Sequence, residues 1–535
     1  MDTEYAQKLG PRSRVALVAA SGAVMFSTFW VLVSLGLNPR ISIVYNVKGA
    51  RYGGPLTWPS RLFHLASLAK GERTALYILL MVLLTLGYLA TIYLVRGSSR
   101  RSITLVIAGG FLAFSMLFLF APPFLSRDIY SYAFGGRAMS VYHANPYLAV
   151  PSAYRSDVLF PLIGWKNQAS VYGPLFGFVS YMITKLAGNS VPANVLGFKV
   201  LAFVSFAACL PFLYSMSRRV APGRENMALS IAAWSPMLML HVCGGGHNET
   251  VMVFFVLAGF YACWKGRSSF GLLLVLLAAM VKISAVLALV PYLVYYLFRE
   301  KEGRFWPRAA TSAATVVALP LLMYAPFWGG TRIFSATLRM TGIYSVSSIP
   351  MLARTYIDRA LTGVGLSGHM AASLSNGPVR AFFLLLLIGV TVVLLLRIRD
   401  RRTMAAATAG IALLWFLTSS YILPWYLALG LLVTGIAGWN ATTGCLVAAS
   451  SLFAVYRMPL SSVPILSRIV RTGIPGPNLP ISIPLTVILI VWLILIHPLR
   501  RAGPADEASP VHPSAEGEAE WMSRDMRQRD AIPRG

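Results

Sequence analysis

One acidic residue of this chain lies at an unusual position, at the end of a long apolar run. The stretch "SRDIYSYAFGGRAMSVYHANPY", residues 126–147, follows about twenty apolar residues and carries Asp128 near its start. A charged side chain is costly at membrane depth, so a carboxylate kept at the end of an apolar segment is a candidate functional group. Such a group can accept the proton of a hydroxyl and act as a general base.

A second motif, "GGGHNETV", places His247, Asn248 and Glu249 at the start of another apolar segment. The glycines let the backbone approach a ligand closely. An acid at a helix N-terminus is also a favourable cap. Ligand binding and simple capping are therefore both open for this motif.

Lys282 interrupts an apolar run in "AAMVKISAVLALVP". A lysine can extend its charged end towards water, but that alone does not explain a break in the middle of the run. We therefore expect Lys282 to face a ligand.

The segment "YILPWYLAL" places Trp425 and Tyr426 at another boundary, where an aromatic belt at the membrane interface is the favoured interpretation.

Cations and tyrosines accompany these motifs. Arginine makes bidentate contacts with phosphate, whereas lysine acts as a point charge. The candidates to neutralise a phosphate are Arg127, Arg137, Lys282, His247, Arg332 and Arg339. The candidates to stack on a sugar are Tyr130, Tyr132, Tyr142, Tyr147 and Tyr172. A site for phosphate and sugar at a membrane surface indicates a lipid-linked sugar donor.

The composition indicates an integral membrane protein. Hydrophobic residues make up 57% of the 535 residues and charged residues 12%, whereas soluble domains are nearer half apolar and a quarter charged. The net charge of +28 does not indicate nucleic-acid binding, because the basic residues lie between apolar runs. The four cysteines form no disulfide framework and no metal-binding spacing. No cofactor is expected, and a divalent cation is left open.

Fourteen apolar segments are candidates for membrane helices, some of them short. They are 15–37, 75–95, 103–124, 195–217, 226–243, 249–264, 269–282, 284–298, 308–327, 380–397, 403–422, 425–439, 441–456 and 481–497. A further short segment, 173–187, either crosses the bilayer or dips into it.

Basic loops decide how the chain crosses the bilayer. If 173–187 dips into the outer leaflet, six short basic loops fall on the side of the N-terminus, as the positive-inside rule requires. This predicts about fourteen spans, both termini in the cytoplasm and Asp128 outside. The first span is interpreted as a retained signal anchor. We expect a membrane domain over 1–499 and a disordered cytoplasmic tail over 500–535.

The full set of motifs resembles the GT-C glycosyltransferases, in which an acid opens the first large outer loop. Within that class, D-[IV]-Y-S-Y, G-R, NPY, YGPL, GGHN-acid, VK-x-SAVLALVP and PWY, over roughly residues 103–430, resemble the actinobacterial polyprenol-phosphomannose-dependent α-1,6-mannosyltransferases. The resemblance implies an all-α polytopic fold of GT-C type, with re-entrant or juxtamembrane helices in that loop. It also implies that Asp128 is the catalytic carboxylate and that Arg137, Asn145, Pro146 and Tyr147 complete the loop.

Two departures from the family pattern bear on mechanism. Arg127 and Ile129 flank Asp128 where the class often has paired acids, so a two-carboxylate or metal-bridged site is not expected. The chain also has "HNE" at 247–249, where the family more usually has HND. The carboxylate of Glu249 therefore reaches farther by one methylene.

The expected reaction follows from the donor. A lipid phosphate leaves as a stabilised anion, so Asp128 can act as the base without a second carboxylate, and cations stabilise the phosphate. The resemblance implies inverting transfer of mannose to a mannoside or lipoglycan acceptor at the outer face of the plasma membrane. The expected substrate-binding residues are Arg127, Tyr130, Arg137, Asn145, Tyr147, Tyr172, His247, Asn248, Glu249, Lys282, Trp425 and Tyr426.

Two alternatives are kept. The first is a transporter or flippase of lipid-linked sugars, although such proteins often show paired repeats and charges at the midplane. The second is a GT-C enzyme that uses another lipid-linked sugar, such as arabinose, glucose or galactose.

Overall fold

The structure, a computed structural model, describes residues 10–37, 54–123, 125–300, 305–340, 342–454 and 479–496. The predicted tail, 500–535, lies outside these ranges. In the described ranges the main elements are helices, connected by loops and short 3-10 turns. In chain order they are α1 Pro11–Gly36, α2 Trp58–Leu62, α3 Lys70–Leu94, α4 Arg101–Phe120, α5 Asp128–Ser140, α6 Pro174–Ala187, α7 Val191–Val220, α8 Glu225–Ala233, α9 Glu249–Trp264, α10 Ser268–Val281, α11 Val286–Phe298, α12 Phe305–Tyr324, α13 Ser335–Met340, α14 Ile349–Gly363, α15 Gly368–Leu396, α16 Arg401–Thr418, α17 Ala428–Ala437, α18 Ala441–Ala454 and α19 Leu479–Ile496.

Several helices have the length and composition of membrane spans. Among the described residues, seven helices are long and apolar enough to cross a bilayer, namely α1, α3, α4, α7, α12, α15 and α19. The membrane protein expected from composition is therefore supported, whereas the count of about fourteen spans stays a prediction.

The segment 226–243 is not one continuous α-helix. It divides into α8 and a π-helical turn, Leu238–Cys243, on either side of Pro236, which has no N–H to continue the helix.

Helix α6 is the segment that the charge pattern predicts to dip into the bilayer. It has 14 residues and a length of about 21 Å, less than the roughly 30 Å of a hydrocarbon core. Pro174 begins the helix and Gly188, with a φ of 55°, ends it. Its length fits the prediction of a dipping segment, and its depth in the bilayer stays a prediction.

A buried tryptophan, Trp234, packs against helices α1 and α4. The indole N–H of Trp234 donates to the carbonyl of Ile107 in α4 at 2.9 Å. A Cβ atom at Gly22 of α1 or at Gly110 of α4 would lie 2.6 Å from the Trp234 ring. The absence of side chains at these glycines thus allows α1 and α4 to close around the indole.

Arg137 fixes α5 to the loops on either side of α6. Its guanidinium donates to Asp157 Oδ2 at 2.8 Å, to the Gly188 carbonyl at 2.7 Å and to Asn189 Oδ1 at 3.0 Å. The Tyr142 hydroxyl donates to the same Asp157 oxygen at 2.8 Å. The Arg137 and Asp157 side chains are only 2% and 0% exposed. The buried ion pair therefore holds α5 to the loops before and after α6.

Contacts between Cα atoms divide the chain after Trp492. All the elements of the first unit that are discussed below lie within residues 10–454. The second unit, residues 493–535, is represented among the described residues by the last four residues of α19.

We predict that Arg137→Met destabilises the protein by about 3–5 kcal/mol, because Asp157 would be left as an uncompensated buried charge. The double variant Arg137→Met/Asp157→Asn is expected to recover part of this loss. Thermal unfolding of the purified protein in detergent measures both effects. A wild-type melting temperature for Arg137→Met would show that the guanidinium is dispensable to the fold.

Candidate active site

Asp128 is the first residue of α5, at the end of the helix where the backbone dipole favours a negative charge. Its backbone N–H donates to Ser126 Oγ at 3.1 Å, and the indole N–H of Trp165 donates to its Oδ1 at 3.2 Å. Leu125, three residues earlier, has a φ of 59°. This left-handed conformation is rare for a bulky residue, and such strain is concentrated at functional sites.

A small cavity of about 80 Å³ opens beside Asp128. Its walls include five candidate residues from the sequence analysis, namely Asp128, Tyr172, Lys282, Trp425 and Tyr426. Other walls come from Ser131, Trp165, Gln168 and Tyr421. The cavity therefore combines one carboxylate and one lysine with six aromatic side chains.

Lys282 lies at a break between two helices, as the sequence predicted. Helix α10 ends at Val281, Lys282 is extended with φ −152° and ψ 130°, and a 3-10 turn leads into α11. Its ammonium group forms an ion pair with Glu249, whose side chain is 3% exposed. It also lies 4.9 Å from the centroid of the Tyr426 ring and 5.9 Å from that of Tyr172. The break thus places a cation between a buried acid and two aromatic faces.

His247 connects this ion pair to α5. Its Nδ1 atom is hydrogen-bonded to the Tyr132 hydroxyl at 3.0 Å and lies 3.9 Å from Glu249 Oε2. Its ring stacks on Trp425, with the centroids 3.7 Å apart. Tyr132 follows Asp128 by one helical turn, so α5 carries both the candidate base and a contact to the motif at 247–249.

The carboxylates of Asp128 and Glu249 both influence two buried tyrosines, Tyr132 and Tyr172. Burial raises the pKa of Tyr172 well above its ordinary value, and the carboxylates of Asp128 and Glu249 raise it further. The pKa of Tyr132 is raised by burial, by Tyr172 and by the same two carboxylates. Both phenols therefore stay protonated at neutral pH and can donate hydrogen bonds.

Asn248 is buried in this cluster at 2% exposure. Within the described part of the chain, neither its Oδ1 nor its Nδ2 atom has a hydrogen-bond partner. A buried amide without partners is costly, and each such group calls for an explanation. The predicted role of Asn248 in substrate binding would supply the missing partners, and it stays a prediction.

A larger cavity of about 630 Å³ lies on the other side of Lys282. The two cavities share Val171, Tyr172, Lys282, Met340, Tyr421 and Tyr426. Apolar side chains of α15 and α16 form much of its remaining wall, namely Phe383, Leu384, Leu387 and Trp415. Arg380 of α15 also lines it, and donates to the Tyr344 hydroxyl at 3.1 Å and to the Gly342 carbonyl at 2.8 Å.

Gly173 holds the loop before α6 against the break at Lys282. Its N–H donates to the Val281 carbonyl at 3.0 Å. A Cβ atom at this position would lie 2.1 Å from the Met280 carbonyl oxygen. A glycine is therefore required where the backbones of the two segments meet, and this contact places Tyr172 next to Lys282.

Several predicted substrate-binding residues lie elsewhere. Eight of the expected substrate-binding residues line neither cavity, namely Arg127, Tyr130, Arg137, Asn145, Tyr147, His247, Asn248 and Glu249. Three of the five N–H donors of Arg137 are used by the contacts described above, and its expected role as a phosphate ligand stays a prediction.

Asn145 and Tyr147 hold the loop after α5 to the end of α12. The Asn145 amide donates to the Phe327 carbonyl at 2.7 Å, and Asn145 Oδ1 accepts the Tyr147 N–H at 3.0 Å. Tyr147 packs on Tyr324 and Phe327. These contacts give the "NPY" motif a structural role, and its expected contact with substrate stays a prediction.

Sequence reasoning missed Trp165, Gln168, Tyr421 and Arg380, which line the cavities. Trp165 lies 37 positions after Asp128, in a loop where no periodicity indicates which side chains converge. A tryptophan in a short polar loop was the available signal. Arg380 was visible as a basic residue at the start of the segment 380–397.

Comparison with known proteins bears on this site. Residues 42–299 match the family model described as alpha-(1->6)-mannopyranosyltransferase, N-terminal domain. The chain is similar to alpha-(1->6)-mannopyranosyltransferase A of Corynebacterium glutamicum, with 27% identity over 58% of this chain and 66% of the relative. It is also similar to the protein of that name from Mycobacterium tuberculosis, with 28% identity over 58% of this chain and 60% of the relative. Over this part of its length, the chain is similar to the alpha-(1->6)-mannopyranosyltransferases.

The family match covers only part of the site. Asp128, Tyr172, Glu249 and Lys282 lie within the residues that match the mannopyranosyltransferase domain. Trp425, together with the walls from α15 and α16, lies beyond them. The alignments span less than two thirds of the length of these relatives.

We predict that Gly173→Ala destabilises the protein by about 1–3 kcal/mol, because the new methyl group must displace the Met280 carbonyl. The matched control is Gly177→Ala in the same region, where an added Cβ would meet its nearest neighbour at 3.9 Å. Thermal unfolding in detergent compares the two variants. Equal melting temperatures would contradict the close contact between the loop and Met280.

Proposed function

We propose that this protein is an inverting membrane mannosyltransferase. It moves mannose from a polyprenyl-phosphate donor to a mannoside or lipoglycan acceptor, with Asp128 as the general base. The observation that carries the proposal is the pair of adjoining cavities, one with Asp128 and one largely apolar, with Lys282 in the wall between them. The names of the relatives support mannose as the sugar.

The larger cavity supports a lipid-linked donor. Its aliphatic and aromatic walls suit an isoprenoid chain, because burial of apolar surface is favourable in such a pocket. Two cations, Lys282 and Arg380, line this cavity. A phosphate held near Lys282 would place the attached sugar in the neighbouring cavity with Asp128.

The reaction then needs one base and a stabilised leaving group. Asp128 takes the proton of the acceptor hydroxyl while that oxygen attacks the anomeric carbon from the face opposite the phosphate. The bond between the anomeric carbon and the phosphate oxygen breaks, and polyprenyl phosphate leaves with the electron pair. Lys282 stabilises the developing charge on the phosphate, so no protein acid has to protonate the leaving group.

The aromatic residues of the small cavity orient the sugar. Tyr172, Trp425 and Tyr426 provide flat apolar faces, and the protonated Tyr172 can donate a hydrogen bond. Trp165 orients the Asp128 carboxylate through its indole N–H. Glu249 holds Lys282 in the wall that the two cavities share.

The proposed setting is the plasma membrane, with many spans, both termini in the cytoplasm and the site at the outer face. The positive-inside distribution of the basic loops supports this orientation. An acceptor glycan would reach Asp128 from the outer aqueous side, whereas the donor would enter its cavity from the bilayer.

We predict that Asp128→Asn lowers the rate of transfer by about 100-fold or more, because the amide cannot accept the proton. The measurement uses purified protein in vesicles, radiolabelled polyprenol-phosphomannose and short mannoside acceptors. Glu72→Gln, which changes an acid at the start of α3, is the control expected to keep the wild-type rate.

Three outcomes would contradict parts of this proposal. A wild-type rate for Asp128→Asn would remove the proposed base. Transfer from another polyprenyl-phosphate sugar, but not from the mannose donor, would change the substrate within the class. Movement of the labelled lipid between leaflets without any elongated product would indicate a transporter.

A further inference from the structure

A buried lysine that the proposed chemistry does not use lies near the segment that leads to Asp128. Lys199 belongs to α7 and is 1% exposed. Its ammonium group donates to the carbonyls of Phe118 at 2.7 Å, Ala121 at 2.7 Å and Pro122 at 3.3 Å. These are three acceptors for the three N–H donors of an ammonium group.

The sequence explains why these carbonyls need an external donor. Helix α4 ends at Phe120, and in a continuing helix the Phe118 carbonyl would accept the backbone N–H of residue 122. Residue 122 is a proline and has no N–H. Lys199 supplies the missing donor at the C-terminal end of the helix.

The segment that Lys199 holds leads directly to the candidate base. Only the chain from residue 123 to residue 127 separates these carbonyls from Asp128, and Leu125 within it is in the left-handed conformation. The position of Asp128 therefore depends on where this short segment is anchored.

Lys199 also contacts the second motif of the site. A Cβ atom built on Gly246 would lie 3.3 Å from Lys199 Cγ and 2.7 Å from Ile129 Cδ1. Gly246, with a φ of 67°, directly precedes His247, and Ile129 directly follows Asp128. The lysine stem, Ile129 and Gly246 thus meet where α5 and the motif at 247–249 come together.

We propose that Lys199 is a positioning residue that fixes Asp128 relative to His247 and Glu249, through the end of α4 and through its contact with Gly246 and Ile129. The inference rests on the proposed role of Asp128 as the base. Lys199 does not touch the substrate, and it acts by holding the segment that carries the carboxylate.

The kinetic test compares Lys199→Met with Lys199→Arg. The methionine keeps the length of the side chain but has no donors, whereas the arginine keeps both donors and charge. We expect kcat of Lys199→Met to fall about 10- to 100-fold, as for a misplaced catalytic group, with the donor KM changed less than about threefold. Lys199→Arg is expected to recover most of the loss. Lys185→Met, which removes an exposed lysine bound to the Tyr181 hydroxyl, is the control expected to behave as wild type.

Two kinetic results would overturn the inference. The first is a wild-type kcat for folded Lys199→Met. The second is a fall in activity that is fully explained by a smaller amount of folded protein. If Lys199→Met does not fold, Ile129→Val removes the methyl group next to Gly246 without changing the lysine. A wild-type kcat for that variant would equally overturn the inference.

A second measurement does not depend on activity. Asp128→Cys is labelled from outside with a membrane-impermeant thiol reagent, in the wild-type and the Lys199→Met background. The four native cysteines are buried and give little background. We expect a labelling rate changed severalfold by Lys199→Met and restored by Lys199→Arg, whereas an unchanged rate would overturn the inference. Because this readout needs no turnover, it separates a failure of the Lys199 inference from a failure of the proposed function.

Discussion

The ion pair between Glu249 and Lys282 is the interaction on which the site depends. A buried acid in an apolar chain requires a charged partner, and Lys282 can serve only because α10 ends one residue before it. The same break leaves the Val281 carbonyl free to accept the Gly173 N–H. The break at Lys282 therefore has three consequences. It provides the partner of Glu249, it binds the loop before α6, and it forms the wall between the two cavities.

The cations of this region divide into two groups. Arg137 and Lys199 are almost fully buried, and their donors are used by carbonyls and polar side chains of the protein. Lys282 and Arg380 also have protein partners, yet both line the larger cavity. In this region, Arg137 and Lys199 thus satisfy loops and a helix end, whereas Lys282 and Arg380 are candidates to bind substrate because they line a cavity.

The sequence predicts much of the site because the relevant residues break local patterns. Asp128 and Lys282 are charges in apolar surroundings, and both lie in the cavity walls. The sequence does not show whether a polar side chain already has a hydrogen-bond partner within the protein. Asn145 and Arg137 have contacts with distant residues that the sequence does not reveal, and their expected roles as ligands stay predictions. Trp165 was missed for the same reason, since only the folded loop brings it to Asp128.

The most direct test of the two-cavity arrangement is a cryo-electron microscopy structure with an unreactive analogue of polyprenol-phosphomannose. The account predicts an isoprenoid chain against α15 and α16, a phosphate at Lys282 and a sugar beside Asp128. A lipid bound elsewhere on the protein, or a sugar on the side of Lys282 away from Asp128, would contradict it.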